Sequence, residues 1–349
     1  MNFTEHNSAA DEMFNGTTAA IIDTQIEDLV SVIVPVFFGL IAITGFLGNS
    51  LVIFVVLANP QMRSTTNLLI MNLAVADLLF VIFCIPFTAA DYMFYIWPFG
   101  EPWCCFVQYM IVATVLVSIY TLVLMSVDRF LAVVHPIWSR AIRTESTTKV
   151  AIFTVWTVIV VASVPVFFAH GLEELPDVHH RWLLCRFDME NDFISWSTYH
   201  ITFMIASYFL PLIIISGLYI RMITSLWQQG AGVKMSEESQ RGRKRVTRLV
   251  VVVVIAFASL WFPIQIIMVL KSLDLYQATS TWTVVVQIIS HLLAYTSSCI
   301  NPVLYAFLSE NFRKAFHKAV NCSPRYQSCN SHLPPPRRTS NARTSTTSM

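Results

Sequence analysis

The chain has 349 residues, 55% hydrophobic and only 12% charged, with a mean hydropathy of +0.61. Soluble domains carry about 25% charged residues, so a soluble globular domain is excluded and a membrane protein is implied. Its 22 basic and 21 acidic side chains leave a net charge of +1; the distribution of charge is therefore the informative quantity, and no nucleic acid partner is expected.

In chain order, residues 1–28 hold no Lys or Arg and no apolar h-region. No cleaved signal peptide is expected there, and the first hydrophobic segment serves as its own signal. Windows 29–62, 64–90, 102–127, 150–172, 193–220, 249–270 and 275–309 follow, free of Asp, Glu, Lys and Arg except for Asp77 in the second. Each exceeds the roughly 20 residues that a spanning helix needs. The predicted fold is an all-α, seven-transmembrane-helix bundle over 29–308. Beyond it, Leu308, Phe312, Phe316 and Ala319 fall on one helical face, with Arg313, Lys314 and Lys318 largely on the other. That pattern predicts an amphipathic membrane-surface helix over 309–321. The Pro-, Ser- and Thr-rich residues 322–349 read as a disordered cytoplasmic tail.

With residue 1 outside, every Lys and Arg except Arg181, Arg186 and Lys271 lies on the cytoplasmic side, and 15 of the 21 acids lie outside. This agrees with the positive-inside rule. The Asn2 and Asn15 sequons then sit in an extracellular, glycosylated N-terminus at 1–28. Pro35, Pro86, Pro165, Pro211, Pro263 and Pro302 fall within the windows, where each removes a helical hydrogen bond; they read as shape or as hinges. Asp77 is the costly residue, since a mid-membrane carboxylate costs roughly 2.5 to over 10 kcal/mol. It needs a cation, a proton or several donors.

Motifs on all seven spans now form a set: Gly48-Asn49; Leu73-Ala74-Val75-Ala76-Asp77; Asp128-Arg129-Phe130; Trp156; Pro211 with Tyr219; Phe257 with Trp261-Phe262-Pro263; and Asn301-Pro302-Val303-Leu304-Tyr305. In this order they resemble the rhodopsin-like (class A) G-protein-coupled receptors. The resemblance implies that Asp77 faces a hydrated pocket with Asn49, Ser118, Trp261, Ser297 and Asn301. In many such receptors that pocket holds an allosteric sodium ion, the sole cofactor expected here; a purely structural hydrogen-bond knot is the alternative.

The resemblance also implies coupling to a heterotrimeric G protein through Asp128, Arg129, Tyr219, Thr247 and Tyr305. The usual acidic lock partner on the sixth helix is absent, leaving Thr247 and an expectation of some basal signalling. Family alignment pairs Cys104 with Cys185, with adjacent Cys105 as a rival. Cys322 is a palmitoylation candidate, and the basic run 241–248 suits both G protein and lipid headgroups. Tail sites at Arg337-Arg338-Thr339-Ser340 and 344–348 suit receptor kinases and then arrestin.

Ile111 stands where amine receptors carry an aspartate, and Tyr295 where opsins carry the retinal lysine, so those ligands do not fit. The outer half instead offers Asp91, Trp97, Gln108, Ile111, Arg186, His200, Gln265, Lys271, Gln287 and His291, a mouth suited to a peptide. Glu173, Glu174 and Asp188 add acidity there, or are simply solvated loop charges. His291 reads as a ligand contact, a partner of Gln265 or a packing residue. "RSTTNLLIMNLAVADLLF", "CIPF" and "YAFLSENFRKAF" resemble the galanin and allatostatin-A receptor branch. Galanin receptors often carry histidines just after the sixth-helix proline, whereas this chain has Pro263-Ile264-Gln265-Ile266. The departure points to the insect allatostatin-A side.

The implied ligand is an amidated neuropeptide ending in Phe-Gly-Leu-amide, with galanin or another amidated peptide as alternatives, and the implied route is Gi/o at the plasma membrane. No catalytic motif is present, so an enzyme is not expected. Transporter repeats and the charge or carbonyl rings of a channel are also missing.

Overall fold

In lipid the backbone has only itself to hydrogen-bond, so long apolar windows become helices. The computed structural model describes residues 3–62, 64–94, 96–176, 181–188, 194–229, 237–277, 280–308 and 310–320. Among them, seven helices are long and apolar enough to cross a membrane: Leu29–Ala58, Thr65–Met93, Glu101–Val134, Glu145–Phe168, Trp196–Ser225, Val251–Ser272 and Thr281–Phe307. The spans outrun the charge-free windows at some of their ends. The third carries Asp128 and Arg129, which are largely buried and paired with each other, and the fourth starts at the exposed Glu145. The first span is part of an unbroken helix from Phe3 to Ala58.

Side-chain caps set three starts. Ser64, Thr144 and Ser195 accept hydrogen bonds from the backbone N–H of Asn67, Thr147 and Thr198, satisfying donors that have no partner inside the helix. Proline sets the internal breaks. The second span is interrupted at Cys84, two residues before Pro86, and the fourth at Ser163, two before Pro165. In the fifth, residues Ile205–Phe209 form a π turn just before Pro211, whose missing N–H cannot serve the Ser207 carbonyl. Pro35, Pro263 and Pro302 sit inside continuous helix.

Apolar side chains lie both inside the bundle and on its outer surface. Phe38, Val52, Ile119, Met125 and Tyr305 are fully buried in the bundle, while Phe153 and Phe307 are more than 70% exposed on its outside. Large apolar patches of this kind mark a membrane surface. Polar side chains lock the middle: Asn72 Nδ2 donates to Thr121 Oγ1 (2.8 Å), and Trp156 Nε1 donates to Asn72 Oδ1 (2.9 Å), joining spans two, three and four.

Glycine permits the tightest approach. A Cβ on Gly45 would sit 2.8 Å from Val81 Cγ2, and one on Gly48 would sit 3.0 Å from the Pro302 ring. Gly45→Val is therefore expected to destabilise the bundle by about 1–3 kcal/mol, read as a lowered Tm of the solubilised chain; Gly39→Val, with open space around it, should leave Tm unchanged.

The structure adds a hairpin that periodicity did not reveal. Strand β1 (His170–Pro176) pairs antiparallel with β2 (Arg181–Phe187), with Leu172 opposite Cys185. A disulfide joins Cys185 to Cys104 at the outer end of the third span, as the resemblance implied. The rival Cys105 is a buried free thiol that donates to the His170 carbonyl (3.0 Å). Trp97 N–H also bonds the Leu183 carbonyl (2.8 Å), so the first outer loop holds the hairpin too. At the other end, helix Glu310–Val320 seats Phe312 beside Tyr305 (centroids 5.7 Å) and leaves Arg313 and Lys314 exposed. Asn2 and Cys322 lie outside the described residues, as do the side chains of Asn15 and Thr247.

Candidate functional site

Three polar assemblies run down the bundle. The outermost is a cavity of about 690 Å³ under the hairpin, within the ~300–1,000 Å³ usual for ligand clefts. Asp91, Trp97, Gln108, Ile111, Arg186, His200, Gln265, Lys271, Gln287 and His291 all line it, brought together from the second, third, fifth, sixth and seventh spans and the two outer loops. Glu173 reaches it as well, whereas Glu174 and Asp188 do not line it.

The partners of these side chains differ in one respect from expectation. Gln265 Nε2 donates to Ser207 Oγ (2.9 Å), and His291 Nδ1 lies 2.9 Å from the Tyr92 hydroxyl, so the two do not pair with each other. Each finds a partner on the span beside it. Lys271 Nζ is 3.4 Å from Gln287 Oε1, tying spans six and seven at the rim. Trp97 gives its indole N–H to the Gly100 carbonyl (3.0 Å) and presents only ring surface. Two buried atoms on this wall, Asp91 Oδ1 and His200 Nε2, have no hydrogen-bond partner among the described residues. Tyr92, Tyr199, Phe203 and Met268 also line the cavity and escaped sequence reasoning, although Phe203 and Ser207 follow His200 at helical spacing. Tyr295 is turned away from a retinal-like role: its hydroxyl bonds Thr88 (2.9 Å) and its ring packs on Phe38 and Phe80.

Where the hairpin meets the bundle, His170 is buried against Phe187 and Tyr199, with Nδ1 donating to the Val166 carbonyl (2.9 Å). Burial pushes its pKa from 6.5 down to about 4. Between those values the unfolded chain binds a proton that the folded chain refuses. Stability present above pH 6.5 is therefore lost as pH falls toward 4. The Tm of the solubilised chain should drop across that window, and His170→Gln should flatten this part of the profile.

The cavity floor includes Trp261, which also lines a small void of about 20 Å³ beside Asp77, Ser118, Ser297 and Asn301. Ser118 Oγ donates to Asp77 Oδ1 (2.9 Å) and Asn301 Nδ2 to Asp77 Oδ2 (2.8 Å). Two residues expected on Asp77 turn elsewhere. Ser297 Oγ accepts from Trp261 Nε1 (2.8 Å), and Asn49 Nδ2 donates to the Gly45 and Ser298 carbonyls (2.9 and 2.8 Å). The donor set fits a small hard cation, with a carboxylate, two hydroxyls and a carboxamide around a void that exceeds the ~10–15 Å³ a water needs.

At the end of the bundle opposite the cavity, Asp128 is the hub. Arg129 donates to its Oδ2 from both Nη2 and Nε (the latter 3.1 Å). Thr65 and Thr66 donate to Oδ1 and Oδ2 (3.0 and 2.9 Å), and Arg143 donates to both oxygens. The Asp128–Arg129 pair is legible in the sequence, whereas nothing in the sequence marks Arg143 as its partner. Nearby, Tyr219 is oriented toward Ser126 and Arg129 without closing a hydrogen bond, and the buried Tyr305 hydroxyl has no partner among the described residues.

Residues 48–305 match the family described as 7 transmembrane receptor (rhodopsin family). An allatostatin-A receptor of Bombyx mori is 56% identical over 301 residues, covering 86% of this chain and 83% of its own length. A galanin-like G-protein coupled receptor of Caenorhabditis elegans is 33% identical (84% and 74% covered), and human galanin receptor type 1 is 33% identical (94% and 92% covered). With its seven spans, the outer disulfide and the Asp77 and Asp128 assemblies in one fold, this chain belongs to the rhodopsin family of seven-transmembrane receptors.

Proposed function

We propose that this chain is a plasma-membrane receptor, with its amino terminus outside, for a C-terminally amidated neuropeptide of the allatostatin-A type, ending in Phe-Gly-Leu-amide. The observation that carries this reading is the outer cavity: deep, aromatic, and lined by Gln108, Gln265, Gln287 and His291. A neutral carboxamide end needs hydrogen-bond partners rather than a counter-ion, and amide and imidazole groups supply them. Asp91, Glu173, Arg186 and Lys271 stand toward the mouth for the charged remainder of the peptide. The identity to the Bombyx mori receptor supports the same ligand class.

Peptide capture tilts the bundle through Trp261, and the cytoplasmic end around Arg129 engages a heterotrimeric G protein of the Gi/o class. Receptor kinases and arrestin then act on the tail, and membrane lipids meet the basic cytoplasmic rim. Asp77, Ser118, Ser297 and Asn301 would hold a sodium ion, which would supply the positive charge that the carboxylate lacks.

The test is a panel of amidated neuropeptides and their free acids on cells reporting cyclic AMP and calcium. Phe-Gly-Leu-amide peptides should lower cyclic AMP, and their free acids should fail. A response to galanin with silence toward Phe-Gly-Leu-amide would replace this ligand with the second reading, which the 33% identity to human galanin receptor type 1 favours.

A further inference from the structure

Asp128 carries more donors than one arginine requires. Its Oδ1 receives Arg143 Nε (2.7 Å) and Thr65 Oγ1 (3.0 Å); its Oδ2 receives Arg143 Nη2 (3.2 Å), Thr66 Oγ1 (2.9 Å) and the two Arg129 donors. The two guanidinium groups engage it differently. Arg143 uses the side-on fork that matches both carboxylate oxygens, whereas both Arg129 donors converge on Oδ2 alone. Arg143 is itself positioned from outside the third span. It follows the short loop helix Pro136–Ile142 and immediately precedes Thr144, the cap of the fourth span, and its Nη2 also donates to Thr65 Oγ1 (3.2 Å).

The consequence lies in what remains when Arg129 leaves. Asp128 is buried, with only 7% of its side chain exposed. Stranding a buried carboxylate is strongly disfavoured, so a lone Asp128–Arg129 pair would resist opening. Here Asp128 keeps a cation and two hydroxyl donors on both oxygens after Arg129 has gone.

We propose that Arg143 is a positioning residue for coupling: a standing counter-ion that lets Arg129 leave Asp128 for the G protein. This rests on the reading of the cytoplasmic face as the G-protein surface. Arg143 need not touch the G protein; it acts by keeping Asp128 neutralised in the closed and the open bundle alike.

The experiment is nucleotide exchange on a purified Gi protein by the full chain in lipid, at matched surface-epitope levels, with and without a Phe-Gly-Leu-amide peptide. Arg143→Gln should lower agonist-free exchange and raise the peptide concentration for half-maximal exchange, each by about tenfold, because Arg129 then becomes the sole cation on a buried acid. Arg143→Lys, which keeps the charge and loses the fork, should fall between. The deciding variant is Asp128→Asn with Arg143→Gln: with no carboxylate left to hold Arg129, exchange should return to the wild-type level or above.

A merely structural Arg143 predicts a double variant as impaired as Arg143→Gln. That result, or an Arg143→Gln chain with unchanged or raised exchange, would overturn the proposal. Wild-type chain that drives no exchange with or without peptide would instead remove the reading of this face as a coupling surface, and the proposal with it. Exchange without a peptide response would remove only the ligand assignment.

Discussion

Replacing Cys104 or Cys185 by alanine is expected to abolish peptide-evoked signalling, while Cys105→Ser leaves it intact. The bond joins residues 81 apart in sequence, and loss of a native disulfide typically costs about 2–5 kcal/mol. Here the cost falls on one place. The hairpin that carries Cys185 also supplies Leu184, Arg186 and Phe187 to the cavity, and Cys185 is its covalent tie to the third span. The Trp97–Leu183 hydrogen bond, the Cys105 contact with His170 and the packing of His170 and Phe187 on Tyr199 remain, but none of these ties the strand carrying Cys185 covalently to the third span. Peptide binding to intact cells, scaled to surface-epitope staining, reads the result. A Cys185→Ala chain that binds with wild-type affinity would show that the hairpin stays in place without its bond.

The second large effect is expected at Asp77, where charge and hydrogen bonding separate. Asp77→Asn keeps a side chain of the same shape for Ser118 and Asn301 but removes the negative charge. In wild-type chain, raising sodium should weaken agonist affinity within the roughly 5–150-fold range of allosteric couplings; in Asp77→Asn this dependence should vanish. Asp77→Leu removes both acceptors, leaving a buried hydroxyl and a buried amide unpaired at about 1–3 kcal/mol each. Surface expression should then fall steeply. Radioligand competition across a sodium series and surface staining measure the two arms. Agonist affinity indifferent to sodium in the wild type would leave Asp77 as a hydrogen-bond knot and nothing more.

The seven spans were legible because lipid imposes one demand on every residue of a helix, and charge-free windows record it directly. The cavity residues were legible for a related reason: a polar side chain near the outer end of an apolar helix has few places to point except inward, as Gln108, Gln265 and His291 illustrate. Pairings were less accessible. Gln265 binds Ser207 and His291 meets Tyr92, choices set by how adjacent helices rotate, which no single segment encodes. Arg143 was hidden for another reason. Its partner Asp128 lies 15 residues back, across a loop whose short helix Pro136–Ile142 carries no strong periodic signal. The hairpin was missed because "HGLEELP" and "RWLLCRF" lack clean alternation; their strands are held by the Cys104 bond and by Trp97 rather than by their own pattern.

The π turn at Ile205–Phe209 has a consequence for how the fifth span serves two ends of the molecule. An α-helix turns about 100° per residue, so the added residue sets the angular phase of the outer half independently of the inner half. His200, Phe203 and Ser207 keep their aim at the cavity and Gln265, while Tyr219 keeps its aim at Arg129. Deleting one residue from that turn would preserve every contact on one side and swing the other side's contacts toward lipid. The span behaves as two keys cut on one shank, and the width of the turn is what lets both fit at once.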